Sequence, residues 1–172
     1  MLKMATKKVS DTFTTRTELV LPNDTNTLGN LMGGRLLHWM DIITAISAQK
    51  ASNRVVVTAS VDFVEFKSAI KLGEIVVLEA KVTRAFTSSM EVRVDVWAEN
   101  LQTGDKRKSN SAYFTFVAVD QNGNPIPVNQ IEPETAEDNE SFDSAQSRRE
   151  LRLLLAGRMK AEDSDSWKKL LS

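Results

Sequence analysis

Asn26, Gly33-Gly34 and Asp41 are the residues of this chain whose types and spacing could do chemistry. Asp41 lies inside a segment from Arg35 to about Ala51 that is apolar nearly all the way round: Leu36, Leu37, Trp39, Met40, Ile42, Ile43, Ala45, Ile46 and Ala48. Such a helix is expected to be buried. An unpaired carboxylate there is costly, and pairing, hydrogen bonding or a shifted pKa relieves it. Gly33-Gly34 opens the helix, lets a ligand approach the backbone, and presents N–H groups at the positive end of the helix dipole. A developing oxyanion needs such donors. Asn26 precedes the helix in a loop and offers an amide that can orient water or hold a carbonyl. A carboxylate base, an amide and a helix N-terminus suit hydrolysis of an activated acyl group. Asp41 stands about 10 Å along the helix from Gly34 at 1.5 Å per residue, which favours a site shared between two subunits.

Those groups must be positioned by the elements around them. Thr14–Leu21 reads as a strand ended by Pro22-Asn23-Asp24, and Ser52-Asn53 stops the long helix. Four further segments alternate with a period of two: Arg54–Phe66, Ile75–Arg84, Met90–Glu99 and Arg107–Asp120. Alternation over such lengths predicts long antiparallel strands with one wet face. Short connections at Phe86-Thr87-Ser88-Ser89 and Leu101–Asp105 predict hairpins. The fold class is therefore α+β, a five-stranded antiparallel sheet curled about one long buried helix, with a partner subunit closing the open side. Residues 1–12 are expected as an N-terminal extension, 129–143 as an acidic solvated linker, 144–160 as a C-terminal helix and 161–172 as a polar, mobile tail.

Composition prunes the alternatives. The 172 residues predict one main domain, burying roughly 70% of the unfolded surface. Lys plus Arg (22) balances Asp plus Glu (23), so no general field draws nucleic acid or an anionic membrane. The absence of Cys excludes disulfides and thiolate chemistry, and a single His38 leaves no zinc site of His and Cys. No apolar run suits a signal peptide or a membrane span, so a cytoplasmic protein is expected.

The ordered segments Asn23-Asp24-Thr25-Asn26 through Gly33-Gly34 to Trp39-Met40-Asp41, then Val57–Asp62, then Lys81–Glu91, resemble the three signatures of the hotdog-fold acyl-CoA thioesterases of the cytosolic acyl-CoA hydrolase type. The resemblance covers about residues 12–160 and implies lipid metabolism, with Asn26 and Asp41 as catalytic residues from two different hotdog units. It implies that Gly33 and Gly34 serve the thioester oxygen. It further implies that Ala59, Ser60, Val61, Ser88, Ser89 and Met90 hold CoA, and that Arg148 or Arg149 meets its phosphates, for which a guanidinium fork is suited. No metal and no cofactor beyond the CoA of the substrate are expected, and the implied assembly is a dimer at least, as a hexameric trimer of dimers. Where many relatives carry His before Gly-Gly this chain has Met32, read as shaping the acyl pocket. A non-catalytic acyl-CoA-binding module and a hotdog dehydratase are the competing readings.

Overall fold

Strict alternation of small and branched apolar residues builds the sheet. In β4 (Ile75–Ala85), β5 (Ser89–Glu99) and β6 (Lys106–Val119) every second residue is buried on one face: Val76, Leu78, Ala80 and Val82, then Met90, Val92, Val94 and Val96, then Ala112, Phe114, Phe116 and Ala118. With β2 (Thr14–Leu19) and β3 (Val55–Asp62) they form one antiparallel sheet in the order β2-β4-β5-β6-β3. The computed structural model describes residues 6–171. A separate two-stranded parallel sheet pairs β1 (Thr6–Lys8) with β7 (Gln130–Glu132), so part of the expected N-terminal extension and linker is strand; residues 1–5 of that extension lie outside the described residues. The opposite face of the large sheet is not uniformly wet: Thr83 and Glu91 are buried, and the Thr83 hydroxyl donates to Glu91 Oε1 at 2.6 Å.

Against the apolar face of the sheet lies α2 (Gly33–Ser52), which ends where Asn53 turns left-handed (φ 54°) and its N–H bonds Gln49 O. Leu36, Trp39, Met40, Ile43, Ala48 and Ala51 are buried together with Thr44 and Ser47, whose hydroxyls bond Met40 O and Thr12 O. Thr12 closes the short helix α1 (Val9–Thr12) and accepts from Val82 N–H at the β4 bulge. The helix is not buried all round, contrary to the expectation from its composition. His38, Ile46, Gln49 and Lys50 are exposed and Asp41 is half-buried, because the sheet covers one side of the cylinder only.

The chain divides into two compact units, one up to Glu132 and one from Pro133. In the second, α3 (Ala136–Leu155) begins within the stretch expected as an acidic linker. Thr135 caps it, accepting from Asp138 N while Asp138 accepts from Thr135 N. The acidic run thus supplies the negative charge that stabilises a helix N-terminus. The stretch expected as a mobile tail carries a 3₁₀ turn (Ala161–Asp163) and α4 (Asp165–Leu171). Glu150, buried, clasps the hairpin between the two helices: it accepts from Gln146 Nε2, Ser164 Oγ and Ser166 N at 2.8–3.0 Å. Among the described residues no helix is long and apolar enough to cross a membrane.

Candidate active site

Asp24 ties the loop carrying Asn26 to the start of α2. It is buried, accepts from Leu21 N–H, and pairs with Arg35 Nε at 2.6 Å, while its backbone carbonyl accepts from Met32 N–H. That pairing turns Arg35 toward the loop. Within the loop Asn26 N bonds Asn30 O, and Gly29, left-handed at φ 72°, closes the turn by donating to Asn26 O. Asn26 Oδ1 accepts from both Leu28 N (2.9 Å) and Asn30 N (3.2 Å). Two N–H donors can only be met by the oxygen of the amide, so its orientation is determined. Nothing among the described residues accepts from Nδ2. Asn26 is therefore both a turn residue and a presented donor, using opposite ends of one side chain.

Asp41 is not unpaired. The Thr58 hydroxyl on β3 donates to its Oδ1 at 2.8 Å. Thr58 begins a bulge that ends at Ser60. Bulges re-aim side chains and are common beside active sites. In the sequence Thr58 lies inside the Val57–Asp62 motif with nothing to set it apart from its neighbours. The signal available was a hydroxyl residue in a valine-rich strand paired with a helix carrying one acid.

Asn26 and Asp41 line different cavities among the described residues of one protomer. A cavity of about 640 Å³ is lined by Gly34, Leu37, His38, Asp41, Val61 and Val64. Another, of about 300 Å³, is lined by Asn26, Gly33, Leu36, Phe66 and Ser68 among others. Residues 33 and 36 face one way round α2 and residues 34, 37, 38 and 41 the other, so helical periodicity itself parts the two groups. The two glycines also differ. A Cβ on Gly33 would stand 3.1 Å from Phe66 Cζ, whereas one on Gly34 would meet nothing within 4 Å. Gly33 makes room for a ring, and Gly34 is the position open to a ligand. No side chain caps this end of α2. Met32, half-exposed, lines neither of these two cavities.

The segments expected to hold CoA come together across β6. Thr58, Phe116 and Met90 stand side by side, as do Ser60, Thr115 and Glu91, so Ala59–Val61 and Ser88–Met90 occupy the same end of the sheet. Met90 is wholly buried, a core residue whose side chain cannot reach a ligand. Ser88 O accepts from Ala118 N, and the Ser60 hydroxyl lies 3.4 Å from Asp62 Oδ2. Arg148 and Arg149 belong to α3 in the second unit, where Arg148 Nη2 donates to Ser141 O.

A sheet of this order wrapped on one helix, with a carboxylate on the helix and an amide in the preceding loop, has known counterparts. Residues 28–104 match the thioesterase superfamily. An uncharacterized acyl-CoA thioester hydrolase of Bacillus subtilis is 45% identical over 123 residues, 72% of either chain. This chain belongs to the hotdog-fold acyl-CoA thioesterases. Among solved structures, an apo-hexameric acyl-CoA thioesterase superposes on this thioesterase with a TM-score of 0.86 at 42% identity, covering 89% of this chain and 98% of that one. An acyl-CoA hydrolase of Staphylococcus aureus, solved with butyryl coenzyme A, gives 0.82 at 35% identity over 89% and 95% of the two chains. Alanine variants of one aspartate, one asparagine and one threonine of that hydrolase have also been solved, and the three are spaced along it as Asp41, Asn26 and Thr58 are here. The thioesterase spans only 24% of longer mouse relatives such as acyl-coenzyme A thioesterase 11.

Proposed function

We propose that this enzyme hydrolyses acyl-CoA to the carboxylic acid and free CoA at a site made by two protomers, with Asp41 from one and Asn26 from the other. The observation that carries this reading is the Thr58–Asp41 hydrogen bond, which holds a half-buried carboxylate in one orientation beside an open cavity. The S. aureus hydrolase, with butyryl coenzyme A bound and alanine variants at three like-spaced residues, supports it.

In this reading Asp41 accepts a proton from water as the water oxygen bonds the thioester carbon. The resulting oxyanion is met by Asn26 Nδ2–H and the backbone N–H at Gly34, a first-turn donor without an acceptor inside its helix. The C–S bond then breaks, the electron pair leaves with CoA sulfur, and the proton on Asp41 passes to that thiolate. Ala59, Ser60, Val61, Ser88, Ser89 and the backbone of Met90 hold the pantetheine end, and Arg148 or Arg149 grips phosphate.

The second protomer is supplied by self-association, with a trimer of dimers as the full assembly. Edge strand β3 exposes Val55 (66%), Val57 (47%) and Val61 (42%), and α2 exposes Ile46 (42%). Unpaired strand edges and contiguous apolar surface of this kind are ordinarily covered. A hexameric relative is consistent with that arrangement.

The test is thiol release from butyryl-CoA by wild type and Asp41→Asn, with CoA binding measured by calorimetry. Turnover is expected to fall by about two decades or more in the variant while CoA still binds. Unchanged turnover in Asp41→Asn would remove the proposed base.

A further inference from the structure

We infer that the cavity beneath Phe66 is the acyl chamber, that it admits short and medium chains of up to about eight carbons, and that Phe66 is the residue that sets this limit. The inference rests on the hydrolase reading above and names its substrate class. Asn26 lines the cavity, and Asn26 Nδ2 is the donor assigned to the thioester oxygen, so an acyl group held there must extend inward from that point.

Three observations bound what fits. The space is about 300 Å³. At ~30 Å³ for each water-sized group it holds about ten, and the thioester takes up its share near the mouth. Phe66 closes one side over Gly33, where a Cβ at 33 would stand 3.1 Å from the tip of its ring. The ring itself is 54% exposed, held from one side only, so its size rather than a rigid frame defines the wall. The lining is mixed: among apolar residues such as Leu31, Leu36 and Ile70, the Ser68 hydroxyl is buried without a hydrogen-bond partner among the described residues, and the buried Asn110 lines the same cavity. A methylene chain neither donates to nor accepts from that hydroxyl, so the chain end gains less there than it would against an apolar wall.

The frame around the ring is fixed. Glu74 takes a two-pronged contact from Arg107, Nη1 to Oε1 and Nη2 to Oε2, both 2.8 Å, and also accepts from Lys71 N–H. Arg107 Nη2 reaches Ala69 O, the Ser109 hydroxyl bonds Ser68 O, and Asn110 Nδ2 bonds Glu65 O. Segment 65–71 is thereby anchored at four backbone points, and Phe66 is the large side chain it leaves over the cavity. Removing the ring enlarges the chamber without unfastening its floor.

The experiment is steady-state thiol release by the full chain from butyryl-, octanoyl- and palmitoyl-CoA, comparing wild type with Phe66→Ala, Phe66→Trp and Ser68→Ala. Wild type is expected to lose at least tenfold in kcat/KM between octanoyl- and palmitoyl-CoA. Phe66→Ala should raise palmitoyl-CoA relative to butyryl-CoA at least fivefold, Phe66→Trp should lower octanoyl-CoA relative to butyryl-CoA, and Ser68→Ala should favour the longer chains. Wild-type use of palmitoyl-CoA as efficient as butyryl-CoA, or Phe66 variants that scale all three substrates together, would overturn the assignment while leaving the hydrolase reading intact. Should Phe66→Ala fail to fold, Phe66→Leu carries the same expectation. No thiol release by wild type from any of the three would overturn both.

Discussion

Thr58 Oγ1 and Asp41 Oδ1 meet at 2.8 Å, joining the edge of the sheet to the helix that carries the acid. The hydroxyl orients the carboxylate without neutralising it. Thr58→Ala is accordingly expected to lower kcat about tenfold with KM changed far less, and Thr58→Ser to restore most of it, since misorientation of a catalytic group costs rate more than binding. Steady-state kinetics decides; wild-type kcat in Thr58→Ala would take Thr58 out of the mechanism.

Asn26 permits a cleaner separation. Asn26→Asp keeps an oxygen for Leu28 and Asn30 N–H but removes the Nδ2 donor, whereas Asn26→Ala removes both. Asn26→Asp should retain the wild-type melting temperature within about 2 °C and lose roughly 100-fold in kcat, the scale of a lost oxyanion donor. Asn26→Ala should lose stability as well. Full activity in Asn26→Asp would show that the oxygen alone matters.

Arg107 and Glu74 form the anchor beneath the cavity. The Arg107 hydrogen bond, above all, holds the Glu74 carboxyl below its usual range against the opposing effect of burial. A carboxyl with a depressed folded pKa stabilises fully above its unfolded value and loses that contribution as the pH falls below it. Arg107→Ala should destabilise by roughly 2 kcal/mol, less than a fully buried pair because Arg107 is about a third exposed. Urea denaturation at pH 7 and pH 4 reads both effects: the gap between variant and wild type should shrink at the lower pH.

Glu150 makes a local pH prediction. Hydrogen bonds from Gln146, then from Ser166 and Ser164, bring its carboxyl down to about 2 from an ordinary 4.5. The clasp on α4 therefore holds fully above pH 4.5 and is lost progressively between there and about pH 2. Amide exchange at Ser166, whose N–H donates to Glu150, should be protected at pH 5 and faster than intrinsic scaling predicts at pH 2.5. Glu150→Gln should remove most of that difference.

What the residues alone determined was everything that depends on local period and type. The alternation of Val76 to Val82 and of Val92 to Ala98 specified strands and their inner face, because a period of two allows no other burial. The run around Met40 specified a long helix, and the rarity of an acid in it marked Asp41. Tertiary structure decided which side of that helix is covered. Leu37, Ile42, Ala45 and Ile46 are as apolar as Leu36 and Ile43, and nothing in their types tells a sheet from a second copy as the covering surface. It also decided that the Met90 side chain belongs to the core, and that an acidic stretch near 136 is a capped helix start. Thr58 and Phe66 gain their places only through contacts 17 and 33 residues away along the chain, with Asp41 and Gly33. Such pairings depend on how the strand and loop after α2 are folded back over it, and no periodicity within either segment encodes that return.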